Sequence, residues 1–220
     1  GEPSILVIDE DEIRLVPRPD LWGRMVTDVR TSLEKEYRGG EVALIGPAGE
    51  NLTAFACVRG DEGHAAGRAG LGAVLGSKNL KAIVARGKKK PEIVDETGFR
   101  ECLRAANKAV RDNAYLADVQ GPIGTMSLVQ MMNEANGLPT ANWQRSSFVE
   151  ASQLYAGRII PEFVVKSTTC AACPVKCRKH VSLGGMVYES PEYESIWAFG
   201  PQNEISDFAL ITQANHLCND

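Results

Sequence analysis

Three cysteines fall within thirteen residues in the stretch TTCAACPVKCRKH (168–180). Cys170, Cys173 and Cys177 are spaced C-x2-C-x3-C, with Pro174 inside the run. Thiolates are soft donors, and three in one tight turn converge on a single soft metal centre. Structural zinc sites pair such a knuckle with a second knuckle or with histidines. His180 follows Cys177 after two residues, so a zinc site of Cys170, Cys173, Cys177 and His180 stays open. The spacing with its internal proline favours a [4Fe–4S] loop that takes its fourth cysteine from elsewhere. Thiols with no metal are the plain alternative. Cys57 and Cys102 sit in apolar periodic settings and Cys218 on an apolar helical face, which suits small core residues and leaves the fourth ligand unidentified.

Two further segments carry chemistry-bearing residues. GRAGLGAVLGSKN (67–79) contains Gly67, Gly70, Gly72 and Gly76. Glycines let a backbone approach a ligand closely and present N–H groups to anions, and Arg68 could grip a phosphate with its guanidinium. The spacing fits neither a Walker loop nor G-x-G-x-x-G opening a βαβ unit. Close helix packing explains these glycines as well as phosphate binding does. SPEYES (190–195) places Glu192 and Glu194 in an acidic stretch, and carboxylates in a loop are by default solvated.

The elements that must position these residues are mixed. SILVIDEDEIRLVP alternates apolar and polar residues around an acidic turn at Asp9–Asp11, which predicts a β-hairpin. DLWGRMVTDVRTSLEKEY sets Leu21, Trp22, Met25, Val26, Val29 and Leu33 on one helical face that Gly39-Gly40 ends. EVALIGPAGEN predicts a short strand entering a Gly/Pro loop. TAFACVRG predicts another strand, and KAIVARG a buried one preceded by Lys78 and Lys81. GKKKPEIVDETG is polar, with a lysine run that reads as a solvated turn, and makes the best boundary between residues 1–90 and 91–220. Beyond it the pattern is helical. Phe99, Leu103, Ala106 and Val110 recur at helical spacing, as do Met126, Val129, Met131 and Met132 before Gly137. A last helix opens at Ser206 as N-cap and buries Phe208, Ile211, Ala214, Leu217 and Cys218.

Composition closes off other classes. The 220 residues are 44% hydrophobic and 24% charged, and the net charge of −4 carries no electrostatic footprint of a nucleic-acid binder. No apolar run approaches the roughly 18–20 residues of a membrane helix, and no signal peptide opens the chain, so a cytoplasmic location is expected. Six cysteines are too few for a disulfide scaffold. The chain starts at Gly1 and ends on Cys218-Asn219-Asp220, which reads as an internal fragment.

GPAGENL, AAGRAGLGAVLGSKNLKAI, CAACPVKC and SPEYESIWAFGPQN follow one another in an order and spacing that resemble the tungsten-containing aldehyde ferredoxin oxidoreductases. The resemblance runs over nearly all of the chain. It implies an α+β fold: the end of a two-sheet, β-rich, pterin-binding domain (1–90), then a mostly α-helical second domain carrying an iron–sulfur loop (91–220). The rest of the first domain and a third domain, source of the fourth cysteine and of a catalytic histidine, would lie outside these residues. By this likeness Cys170, Cys173 and Cys177 are cluster ligands. Arg68, Ala69, Gly70 and Gly72 contact a pterin and its phosphates. Asn219 and Asp220 lie near a second pterin, with Asn219 where the family motif has its first acid. Glu194 matches the glutamate near tungsten, with Glu192 as fallback. His64, His180 and His216 do not replace the family's histidine and read as ordinary ones.

The implied cofactors are a [4Fe–4S] cluster, a tungsten or molybdenum bis-pyranopterin, and Mg2+ bridging pterin phosphates. The implied activity is oxidation of aldehydes to carboxylic acids with ferredoxin as acceptor. A homo-oligomer or redox partner subunits are further implied. The tungsten subunit of an aromatic acyl-CoA reductase would show the same motifs. A non-catalytic zinc module is the alternative from another class. The isolated 220 residues are expected to be inactive.

Overall fold

The structure, a computed structural model, describes residues 1–60 and 63–220. Contacts divide it into two compact units, Gly1–Glu92 with Asn219–Asp220, and Ile93–Cys218.

In the first unit the alternating segment folds as a hairpin. β1 (Ser4–Asp9) pairs antiparallel with β2 (Glu12–Pro17), and Glu10 turns the chain at φ +56°. The helix α1 (Val26–Glu36) buries Val26, Val29 and Leu33 at helical spacing. They pack on Ile5 and Val7 of β1, on Val42 and Leu44 of β3 (Glu41–Leu44), and on Ala82 and Val84 of a later strand. Each such side chain contributes about 1.5–3 kcal/mol by leaving water. The helix starts later than the pattern predicts. Pro19–Leu21 is a 3-10 turn and Gly23 takes φ +80°, so Leu21 is buried from outside the helix and Met25 is exposed.

Pro47–Glu50 forms a helical turn, α2, where a loop was expected. The strand predicted from TAFACVRG shrinks to β4 (Val58–Arg59), because the Ala56 carbonyl accepts from Gly72 N–H instead of a strand partner. β5 (Ala65–Ala66), α3 (Leu71–Ser77) and β6 (Leu80–Arg86) follow. The sheet order is β2-β1-β6-β3-β4-β5, with β1 and β6 parallel. Lys81 lies inside β6 rather than before it, and is fully buried.

The second unit begins with α4 (Glu96–Asp112), whose face of Phe99 and Leu103 is half exposed. Next come α5 (Gly121–Ile123), α6 (Ser127–Glu134) and α7 (Ala156–Phe163). A three-stranded antiparallel sheet follows, which the sequence pattern did not announce: β7 (Val164–Thr168), β8 (Arg178–Leu183) and β9 (Met186–Glu189). The chain closes with α8 (Tyr193–Phe199) and α9 (Phe208–Asn219). The core gathers Met126, Val129, Leu138, Leu154, Ile159, Val181, Ile196 and Phe208.

Three sequence expectations fail here. The cap of α9 is Asp207, not Ser206: its Oδ1 accepts from Ala209 N–H (2.9 Å) and Leu210 N–H (3.1 Å), while the Ser206 hydroxyl donates to Glu150. Leu217 is exposed, because it falls off the stripe that buries Phe208, Ile211, Thr212 and Asn215. Cys102 and Cys218 are exposed and Cys57 half-buried, so none is a buried core thiol.

Candidate functional site

The pairing of Thr168 with Arg178 makes residues 169–177 the connection between β7 and β8, and all three clustered cysteines lie on it. Cys173 N–H closes a turn on the Cys170 carbonyl at 3.1 Å, and Ala172 takes φ +58°. The three thiols are half-buried. Burial first, then the carboxylate of Glu192 and the neighbouring thiols of Cys170 and Cys173, push the Cys177 thiol above its ordinary range. Among the described residues, no three His, Cys, Asp or Glu side chains already stand in a metal-holding arrangement.

Behind the loop sits Lys179, 5% exposed. Its Nζ donates to the carbonyls of Lys176 (2.7 Å), Gly121 (2.8 Å) and Cys177 (3.3 Å). Desolvation pulls its pKa below the lysine range, against the raising effect of Cys177 and Glu192. Gly124, at φ +79°, presses on the same loop: a Cβ there would stand 2.5 Å from the Cys177 carbonyl oxygen. Thr125 then reaches α8. Its hydroxyl donates to Glu192 Oε2 (2.9 Å) and accepts from Tyr193 N–H (3.1 Å). Gly124, Thr125, Cys177, Lys179 and Glu192 thus line one small recess. Glu194 is exposed in the first turn of α8 and does not line it.

His180 is on β8, where neighbouring side chains alternate between faces, and its Nε2 shares a hydrogen bond with Thr168 Oγ1 at 3.2 Å. His216 meets Tyr188 edge to face. Neither histidine joins the thiols in a metal-holding set.

The glycine segment belongs to the first unit. Arg68 and Ala69 are exposed, and Ala69 and Gly70 both take left-handed backbone, φ +66° and +65°, before α3. Gly72 donates its N–H to Ala56 (2.9 Å), and a Cβ on it would stand 2.8 Å from the Ala56 carbonyl carbon. Gly76 lies against the Gly49 carbonyl. Packing of α3 thus accounts for Gly72 and Gly76, while Arg68 and Ala69 face solvent. Asp220 caps α1, with Val26 N–H on its carbonyl (3.0 Å) and Thr27 N–H on its Oδ1 (2.6 Å). Gly46 of the GPAGEN stretch admits this approach, since a Cβ would come within 2.6 Å of the Asp220 carbonyl. Asn219 is half-buried beside it. In the same unit, Lys81 of β6 pairs with Glu50 of α2, both side chains buried, and also donates to the Arg24 carbonyl at 2.8 Å. Glu50 in turn accepts from Gly23 N–H at 2.7 Å.

Sequence reasoning missed Lys179, Gly121, Gly124, Thr125 and the Lys81–Glu50 pair. One signal for Lys179 existed: a lysine at an inward position of an alternating strand. Nothing local marked Gly124.

The fold thus presents a half-buried three-thiol hairpin with the buried Lys179 behind it, and, in the sheet-rich unit, an exposed Arg-Ala-Gly turn. The chain belongs to the aldehyde ferredoxin oxidoreductase family. Residues 1–87 match the family's N-terminal domain and residues 101–220 match its domains 2 and 3. It is 37% identical over 224 residues to the tungsten-containing aldehyde ferredoxin oxidoreductase of Thermococcus kodakarensis, covering 100% of this chain and 37% of that protein. The Pyrococcus furiosus enzyme of the same name is 35% identical over 222 residues, covering 100% and 37%. An aliphatic sulfonate oxidoreductase, WOR-like subunit, of Pyrococcus furiosus is 26% identical, covering 99% and 38%. The chain thus spans little more than a third of the length of these curated relatives. Among solved structures, the active site complex BamBC of benzoyl coenzyme A reductase superposes with a TM-score of 0.81 at 21% identity, covering 100% of this chain and 35% of that one. That likeness establishes the fold.

Proposed function

We propose that the whole protein oxidises aldehydes to carboxylic acids at a tungsten or molybdenum bis-pyranopterin and passes the electrons through a [4Fe–4S] cluster to ferredoxin. The observation that carries this reading is the loop of Cys170, Cys173 and Cys177, half-buried on one hairpin, in a chain 35–37% identical to tungsten-containing aldehyde ferredoxin oxidoreductases. The donors fit the cluster chemically: three soft thiols in one hairpin, with Lys179 to balance anionic charge. When bound, the pterin-held metal supplies two-electron oxidation of the carbonyl carbon, and the cluster supplies one-electron steps.

This chain's residues do the rest. Cys170, Cys173 and Cys177 hold the cluster, with a fourth ligand from elsewhere in the whole protein. Arg68, exposed ahead of the left-handed Ala69-Gly70 turn, offers a planar, two-pronged cation to phosphate or pterin oxygens. Gly72 allows that turn to pack close to Ala56. Asp220 fixes the start of α1 beside Gly46 of the GPAGEN stretch, and Asn219 with it would lie near a second pterin. Mg2+, which would balance the charge of the pterin phosphates, belongs to the same reading. The two carboxylates divide their work. Glu192, held by Thr125 at the cysteine recess, positions the start of α8. Glu194, unheld and exposed, takes a proton from the water that becomes the new carboxylate oxygen.

Aldehyde-dependent dye reduction by the whole protein, purified without oxygen, tests the reading. Glu194→Gln should lower kcat about 10²–10⁴-fold with metal content intact. An unchanged kcat removes Glu194 from the mechanism. A fully metallated protein that reduces no dye with any aldehyde overturns the aldehyde assignment.

A further inference from the structure

An ammonium has three N–H donors. The carbonyls of Gly121, Lys176 and Cys177 accept from Lys179. Two of these carbonyls belong to the cysteine loop and the third to α5, so one side chain ties the loop to the segment beside it. Gly124 closes on the Cys177 carbonyl from the same segment. The amine is nonetheless a poor structural peg. A buried charge is costly unless an opposite charge balances it, and carbonyl dipoles balance it only in part. Among the described residues, no carboxylate lies within ion-pair distance of Lys179. Glu192 in the same recess acts on Lys179 only at longer range, so the carbonyls and this carboxylate balance the ammonium in part and leave room for an anion at the thiols.

We infer that Lys179 is the positioning residue of the cysteine loop, holding it closed without metal and serving as the fixed counter-charge of the cluster. The second half rests on the reading of Cys170, Cys173 and Cys177 as cluster ligands. A thiolate-bound cluster is anionic and gains negative charge on reduction, so a fixed cation beside it favours the reduced form and raises its potential.

Three variants of the whole protein separate clamp from charge: Lys179→Arg, Lys179→Gln and Lys179→Met. Amide hydrogen exchange of residues 175–178 in metal-free protein reads the clamp. An EPR-monitored redox titration of the anaerobic holoenzyme reads the charge. Lys179→Met should speed exchange roughly tenfold and move the midpoint to more negative potential. Lys179→Gln, which keeps amide donors but no charge, should exchange nearly as slowly as the unsubstituted protein and still show the negative shift. Lys179→Arg should keep the potential. If Lys179→Met does not accumulate as folded protein, Lys179→Gln carries the potential measurement. An unchanged midpoint in Lys179→Gln overturns the counter-charge, and unchanged exchange in Lys179→Met overturns the clamp. Absence of iron from the unsubstituted protein overturns the cluster reading and the counter-charge with it. The exchange measurement still decides the clamp.

Discussion

Cysteines of one chain divide by surroundings. Cys170, Cys173 and Cys177 are half-buried on one hairpin, whereas Cys102 and Cys218 stand exposed outside it. Substituting any one of the three by Ser replaces a soft donor with a poor one. Iron per chain in the whole protein should then fall to well under half, while Cys102→Ser should leave it unchanged. Equal iron in Cys177→Ser and the unsubstituted protein would remove Cys177 from the ligand set. Thr125→Val tests the other side of the recess. It deletes the donor to Glu192 and the acceptor for Tyr193 N–H, and should cost about 1–3 kcal/mol in denaturant unfolding. At this scale the thiols were legible, because soft ligands at short spacing have few other uses. Lys179 was not, because its role comes from carbonyls 58, 3 and 2 residues away along the chain, and no local pattern records that meeting. The resemblance ranked Glu194 before Glu192, but nothing in the sequence showed that Thr125, 67 residues away, holds Glu192.

Among the elements, the first unit depends on a buried ion pair that joins β6 to α2. Lys81 is 0% and Glu50 4% exposed at the side chain. Removing one partner leaves the other charge unbalanced, so Lys81→Met should destabilise by about 3–5 kcal/mol. The double variant Lys81→Met with Glu50→Leu should recover part of that loss in equilibrium unfolding. Additive losses would contradict the pairing. Gly76→Ala tests how α3 meets α2, since its new methyl would run into the Gly49 carbonyl; a loss of about 1–3 kcal/mol is expected. A weaker effect belongs to the hairpin end. Arg86 first by hydrogen bond and then by charge holds Asp9 below its ordinary 3.8, with burial opposing. A depressed carboxylate contributes stability that is complete above 3.8 and lost as pH falls through its folded value. Asp9→Asn should therefore flatten the acid side of the stability profile, by a small amount because the pair faces solvent. The hairpin β1–β2 and the buried stripe of α1 were readable from period alone. The β7–β8–β9 sheet was not: RKHVSL carries Lys179 inward and a polar outer face, which looks like a loop beside a cysteine turn. TAFACVRG misled in the opposite direction, since its apolar residues line a turn that feeds Gly72 a carbonyl.

For the molecule as a whole, family membership rests on matches at both ends, residues 1–87 and 101–220, and the proposed activity rests on the redox centre these residues would help to hold. Mixed helix and sheet was legible from the change of period near residue 90. The two roles of the glycine segment were not separable by composition: Gly72 and Gly76 serve packing, and Arg68 and Ala69 stay at the surface. Metal content of the whole protein, purified without oxygen, with low-temperature EPR after dithionite, bears most directly on the central claim. The account predicts about four irons and one tungsten or molybdenum per chain with a reduced-cluster signal. One zinc, no iron and no signal would contradict it, and Cys170, Cys173 and Cys177 would then be a structural clip.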